Sequence, residues 1–239
     1  MFQKIVPFNT QAHGHKKIKP VDTFHFVSKT HISSLLVSEF KRAAEDLPIV
    51  FLKDGENYGA YALLGLKPGQ NLFVNPEGEW TGRYIPAIIR RYPFALGKGQ
   101  GQDQFLFCID EESPFISDTE GEPLVGPDGK PSEVVEKAKT FLTEIYRYSE
   151  TTARFCKEIA EKGLLKPMNM QMKHAESGQV QSVTGAFAVD EKQLNELPDE
   201  EFLAFRKNGA LPLIYAHLFS LSHIQKLIRK QKKSEEKPA

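Results

Sequence analysis

Cysteine is scarce in this chain: Cys108 and Cys156 are the only two in 239 residues. A disulfide-dependent secreted scaffold of this size would carry more, so both thiols are expected to be reduced and buried. A single bridge stays open as the alternative, because sequence spacing does not give a distance in space. Net charge is missing too. Lys and Arg total 31, as do Asp and Glu, so no global field draws the chain to nucleic acid, and no nucleic-acid partner is expected.

Long apolar runs are absent. A membrane-spanning helix needs about 18 or more consecutive apolar residues. The best candidate, "GALPLIYAHLFSLSHI" (209–224), is shorter and contains polar and ionisable groups. The opening "MFQKIVPFNTQAHGHKKIKP" lacks the apolar region and small-residue cleavage site of a standard leader. These features predict a cytoplasmic protein with no transmembrane segment. There is no G-x-S-x-G, G-x-x-x-x-G-K, dinucleotide fingerprint, H-E-x-x-H or C-x-x-C. No Ser or Cys is therefore nominated as a nucleophile, and whether the protein is an enzyme stays open.

What is present suits a globular domain. Hydrophobic residues make up 40% and charged residues 26%, and 17 Phe and 7 Tyr supply large core pieces. Local patterns predict strands at "KIVPF", "TFHFVS", "PIVFL", "AYALLGL", "NLFV", "YPFALG", "FLFCID" and "VTGAFAVD". A helix is expected over "LLVSEFKRAAEDLP", with Pro48 as its stop, followed by a β-hairpin turning at "KDGENYG". A short helix "YIPAIIRR" has Pro86 in its first turn, and Pro93 ends it near Arg91.

A long amphipathic helix runs from Ser132 towards Gly163, its cap. Asp190 caps a following helix, and "LPLIYAHLFSLSHIQKLIRKQKK" continues as helix. Mixed strands with helices gathered towards the C-terminus predict an α+β fold. Its core is a mixed or antiparallel sheet with a long helix and a helical C-terminal region. One globular domain over residues 1–230 is expected, with 164–230 as an optional C-terminal subdomain and 231–239 as a frayed tail.

Candidate chemistry is thin. His13 and His15 form an H-x-H pair, yet nothing nearby completes a metal site, so an exposed polar loop is the preferred reading and no metal or cofactor is expected. Of the other histidines (His25, His31, His174, His217 and His223), His217 lies in an apolar run and reads as a hydrogen-bonded packing residue. Residues 110–128 hold seven acids and no base; a solvated surface excursion explains them better than calcium does. "LGKGQGQDQ" is a weak phosphate loop, and the basic "KLIRKQKK" reads as a solvated helix end.

The densest cluster is "RYIPAIIRRYPFALG" (83–97). Arg83, Tyr84, Arg90 and Arg91, with Trp80, Tyr92, His13 and His15, form the candidate ligand-binding set. Adjacent arginines on a helix point about 100° apart, so Arg90 and Arg91 do not form one clamp from that element alone. Arginine suits a carboxylate or phosphate ligand. It equally suits packing against Trp80, Tyr84 and Tyr92, and this architectural reading is preferred.

"LPIVF" (47–51), "LLGLKPGQNLFV" (63–74), "GEWTGRYIPAIIRRYPFAL" (78–96) and "FCIDEES" (107–113) together resemble the bacterial SapC family. "GAFAVDEKQLNELPDEEF" and "GALPLIYAHLFSLSHIQKL" fit the same family. The family is named for association with the surface layer of some Gram-negative bacteria. The resemblance therefore implies a link to the cell envelope, through surface-layer assembly or export or an outer-membrane system. Neutral charge and small size argue against a lattice subunit. A soluble accessory protein that binds a protein or peptide partner is the expected function. The alternative is a small-ligand sensor or an enzyme using an Arg/Tyr/His pocket.

Overall fold

The computed structural model describes residues 1–99, 105–173 and 180–236. In chain order the strands are β1 (Ile5–Pro7), β2 (Lys17–Ile18), β3 (Ile32–Ser34), β4 (Ile49–Asp54), β5 (Asn57–Leu63), β6 (Phe94–Lys98), β7 (Phe105–Asp110), β8 (Ile116–Ser117), β9 (Glu122–Pro123), β10 (Leu165–Lys173) and β11 (Val180–Val189). The helices are α1 (Phe40–Ala43), α2 (Ala87–Arg90), α3 (Glu133–Glu161), α4 (Glu191–Asn195), α5 (Asp199–Asn208), α6 (Ala210–Ser220) and α7 (Ile224–Glu236). Short 3-10 turns cover His25–Val27, Val37–Glu39 and Leu221–His223.

Three antiparallel sheets result, so the fold is α+β. The largest has the order β10-β11-β4-β5-β3, a second is β1-β7-β6, and a small third is β8-β2-β9. The predicted hairpin is β4 and β5, closed at Asp54 opposite Asn57. Gly55 takes the positive φ of 59° that this tight turn requires.

The core divides into two hydrophobic clusters. One surrounds Phe40, Phe51, Ile159 and Ile214; the other surrounds Phe94, Ile109, Leu124 and Leu142. The 29 residues of α3 reach both, because a helix of that length spans roughly 44 Å. Val135, Leu142 and Ile145 from its first half enter the smaller cluster, and Phe155, Cys156 and Ile159 from its second half enter the larger. Gly163, at φ 67°, ends the helical path, and the Leu164 N–H closes back on the Ile159 carbonyl at 3.0 Å. Both cysteines are free and buried.

His217 joins α6 to the main sheet. β11 pairs with β4 at Ala186–Leu52 and Phe187–Phe51. In that register Val189 would face Ile49 next. Instead the His217 ring stands between them, its Nδ1–H donating to the Ile49 carbonyl at 2.9 Å and its Nε2 accepting from the Val189 N–H at 3.0 Å. One neutral imidazole thus satisfies a donor and an acceptor where the strands splay. The Ser220 hydroxyl, one turn on, accepts from the Ile49 N–H at 2.9 Å.

Several local expectations change. "TFHFVS" is not a strand: His25–Val27 forms a 3-10 turn, and Phe24 and Phe26 both pack inward, 6.0 Å apart between ring centres. "NLFV" contributes only a bridge from Val74 to Trp80. The helix expected after Leu35 is a 3-10 turn followed by the four residues of α1. Pro86 flanks α2 with extended backbone (ψ 142°) instead of lying in its first turn. The C-terminal helix breaks at Leu221–His223 into α6 and α7. The acidic excursion carries β8 and β9, which clasp β2. No helix among the described residues is long and apolar enough to cross a membrane.

Candidate functional site

A buried carboxylate organises the segment that holds the paired arginines. Glu39 ends the 3-10 turn before α1 and is only 4% exposed. Its Oε2 accepts from the Leu36 N–H at 2.9 Å, and its Oε1 accepts from the Tyr84 hydroxyl at 2.6 Å and the Ala87 N–H at 2.7 Å. Three donors compensate a carboxylate removed from water. They also pin the start of α2 against α1. Burial, and then the Glu39 carboxylate, push the Tyr84 phenol up to about 12, so it stays a neutral donor.

Arg90 lies over this anchor. Its Nε donates to the Ile85 carbonyl at 2.9 Å, and its Nη2 donates to the Tyr84 hydroxyl at 3.3 Å and lies 4.0 Å from Glu39. The guanidinium sits between the Tyr84 ring at 5.8 Å and the Phe141 ring of α3 at 5.1 Å. One edge of Arg90 is therefore used for positioning.

Arg91 follows at the end of α2 and turns its guanidinium over the Phe2 ring at 5.4 Å. Its Nε is buried and has no hydrogen-bond partner. Burial draws its pKa below the usual arginine value, while leaving it charged at neutral pH. Among the described residues no carboxylate lies within ion-pair distance of Arg91 or of Lys19.

These side chains edge a cavity of 660 Å³. Its apolar walls come from three places: Ile18, Pro20 and Val21 around β2, Tyr92 and Phe94 after α2, and Val134, Ala138, Phe141 and Leu142 from the first turns of α3. Four cations, Lys19, Arg90, Arg91 and Lys137, face one acid, Glu122. Lys137 is paired with Glu133 at 2.7 Å, an exposed contact worth little. The size falls in the range of small-ligand sites. Such a cavity favours an apolar body that carries a negative group. Its lining holds no Ser, Thr, Cys or His among the described residues. The Tyr92 hydroxyl is already donated to Asp110 at 3.2 Å.

Of the eight residues nominated from sequence, Arg90, Arg91 and Tyr92 line this cavity. The arginines do diverge from their short helix, yet the cavity wraps its end and reaches both. Tyr84 lies behind Arg90 as its support. Trp80 is elsewhere, stacked on Phe73 at 5.6 Å and edge-on to Phe24 at 5.8 Å. Arg83 uses its backbone N–H on Asp46 at 2.8 Å, and its side chain is exposed.

The exposed-loop reading holds for His15, whose side chain is 63% exposed, and fails for His13. It is buried, stacks on Phe8 at 5.3 Å, and lies 3.2 Å from Glu111 through Nε2. His15 points to Asp118 at 3.3 Å. Neither histidine lines the cavity, and no group of three or more metal-ligating side chains occurs among the described residues. His174 and residues 100–104 of the glycine-rich loop lie outside the described residues. The basic C-terminal helix is not merely solvated: half-buried Lys230 stands 4.1 Å over the Phe73 ring and donates to the Leu72 carbonyl at 3.2 Å.

Sequence reasoning missed Glu39, Lys19 and Lys137. Glu39 had a usable signal, a lone acid between apolar Val37 and Phe40. The two lysines had none, because β2 and α3 meet only in the fold.

No curated protein and no solved structure matches the chain. The SapC family pattern matches residues 8–227, taking in α1 through α6 and the whole cavity, and the chain belongs to the SapC family.

Proposed function

We propose that this chain is a binding protein whose Arg90–Arg91 cavity receives an apolar, negatively charged element of a protein or peptide partner. The observation that carries the reading is a cavity whose apolar walls are edged by the guanidinium groups of Arg90 and Arg91, with Glu122 as the one acid in its lining. A carboxylate seated beside these guanidinium groups gains charge-assisted hydrogen bonds. Arg90, fixed by Tyr84 and Ile85, meets the same ligand without having to be ordered first.

An accessory role in a surface-layer or outer-membrane system fits this reading, since such a role calls for recognition and not for turnover. The reading places no catalytic step at the cavity, whose lining offers cations and hydrocarbon. Calorimetric titration with a blocked leucine–aspartate–phenylalanine tripeptide, against its asparagine counterpart, tests it. The aspartate peptide is expected to bind at least about tenfold more tightly. Equal affinities would remove the anion from the account.

A further inference from the structure

The cavity shares lining residues with two neighbouring hollows. Lys19, Pro20 and Gly121 form a wall shared with a second hollow of 530 Å³, which is also lined by Asp22 and Glu120. On the other side, Lys137 and Phe141 are shared with a third hollow of 390 Å³, lined by Glu133, Glu136 and Glu144. The balance of charge differs between the hollows. The centre sets Lys19, Arg90, Arg91 and Lys137 against Glu122; the first flank adds Asp22 and Glu120 beside the shared Lys19, and the second adds Glu133, Glu136 and Glu144 beside the shared Lys137, with Glu133 and Glu136 paired to Lys137 and Lys139 at 2.7 Å.

A small amphiphile would explain the centre and leave both flanks without a role. Nucleic acid and anionic lipid surfaces suit the centre but are repelled by the flanking carboxylates. A peptide chain can carry a different charge every few residues, advancing about 3.3 Å per residue when extended. We propose that the three hollows form one groove for an extended peptide segment of a partner protein, with an acidic residue among apolar ones at its centre and basic residues on both sides. This rests on the binding reading above and specifies its ligand. The central cavity supplies the anchor. The exposed flanking acids supply selectivity and rate of encounter, so their contribution fades with salt.

Peptides with one leucine–aspartate–phenylalanine centre and flanks of lysine, glutamine or glutamate test the proposal by fluorescence polarisation at low and high salt. Affinity is expected to fall from lysine to glutamine to glutamate flanks, spanning about tenfold or more at low salt and narrowing at high salt. Glu133 and Glu136 are held in ion pairs with Lys137 and Lys139, so combined Asp22→Asn, Glu120→Gln and Glu144→Gln substitution removes the other flanking acids and is expected to abolish the flank preference while keeping the aspartate-over-asparagine preference of the centre. Three equal affinities, or a flank preference that survives the triple substitution, would overturn the groove. If the centre still discriminates aspartate from asparagine, the cavity reading stands while the groove falls. Binding of decanoate with no binding of any peptide would make the occupant a small amphiphile and also overturn the groove.

Discussion

His217 stands where a backbone hydrogen bond between β11 and β4 would otherwise lie, and it can do so only while neutral. Its Nε2 must accept from the Val189 N–H. Burial lowers its pKa from 6.5 to about 4. The unfolded chain therefore binds the extra proton first as pH falls. The stability carried by neutral His217 is complete above about pH 6.5 and is lost progressively towards pH 4. The loss amounts to about 3 kcal/mol. Urea unfolding at a series of pH values is expected to show this slope in the natural protein and a shallower one in His217→Gln, which starts less stable at pH 7.5.

Glu39 is the other decisive residue. Glu39→Gln places an amide, part donor, among three donors, and is expected to cost about 2–3 kcal/mol in the same assay. Tyr84→Phe removes a single partner and is expected to cost less, about 1 kcal/mol.

At the scale of elements, α4 is short and depends on its start. The Asp190 carboxylate accepts from the Lys192 N–H at 3.0 Å and is held below the usual carboxylate range, first by Lys166. Asp190→Ala is expected to lower the midpoint of thermal or urea unfolding, and Asp190→Asn to lower it by less. This cap, the β4–β5 hairpin and the long helix were legible in sequence because each is a local pattern: an oxygen before a helix, a glycine turn between alternating strands, an apolar stripe at helical spacing. "TFHFVS" misled for a physical reason. Alternation of Phe24 and Phe26 predicts two rings on one strand face, but a bent backbone also brings both rings to the core. The cavity was half legible. Arg90, Arg91 and Tyr92 lie in one segment, whereas Lys19 and Phe141 join them through pairing of β2 and packing of α3, contacts between residues far apart in sequence.

For the whole molecule, α3 is the shared wall of both hydrophobic clusters, and its first turns also wall the cavity. The arginines are presented from the opposite side by a segment that Glu39 fixes to α1. Arg91 is the proposed centre of recognition and Arg83 lies outside the cavity, although sequence nominated both.

The affinity of the leucine–aspartate–phenylalanine tripeptide for Arg91→Ala and Arg83→Ala, measured by calorimetry on folded variants, tests this most directly. The account predicts a loss of about tenfold to a hundredfold for Arg91→Ala, the size of one charge-assisted hydrogen bond, and no change for Arg83→Ala. Unchanged binding in Arg91→Ala, or an equal loss in Arg83→Ala, would contradict it.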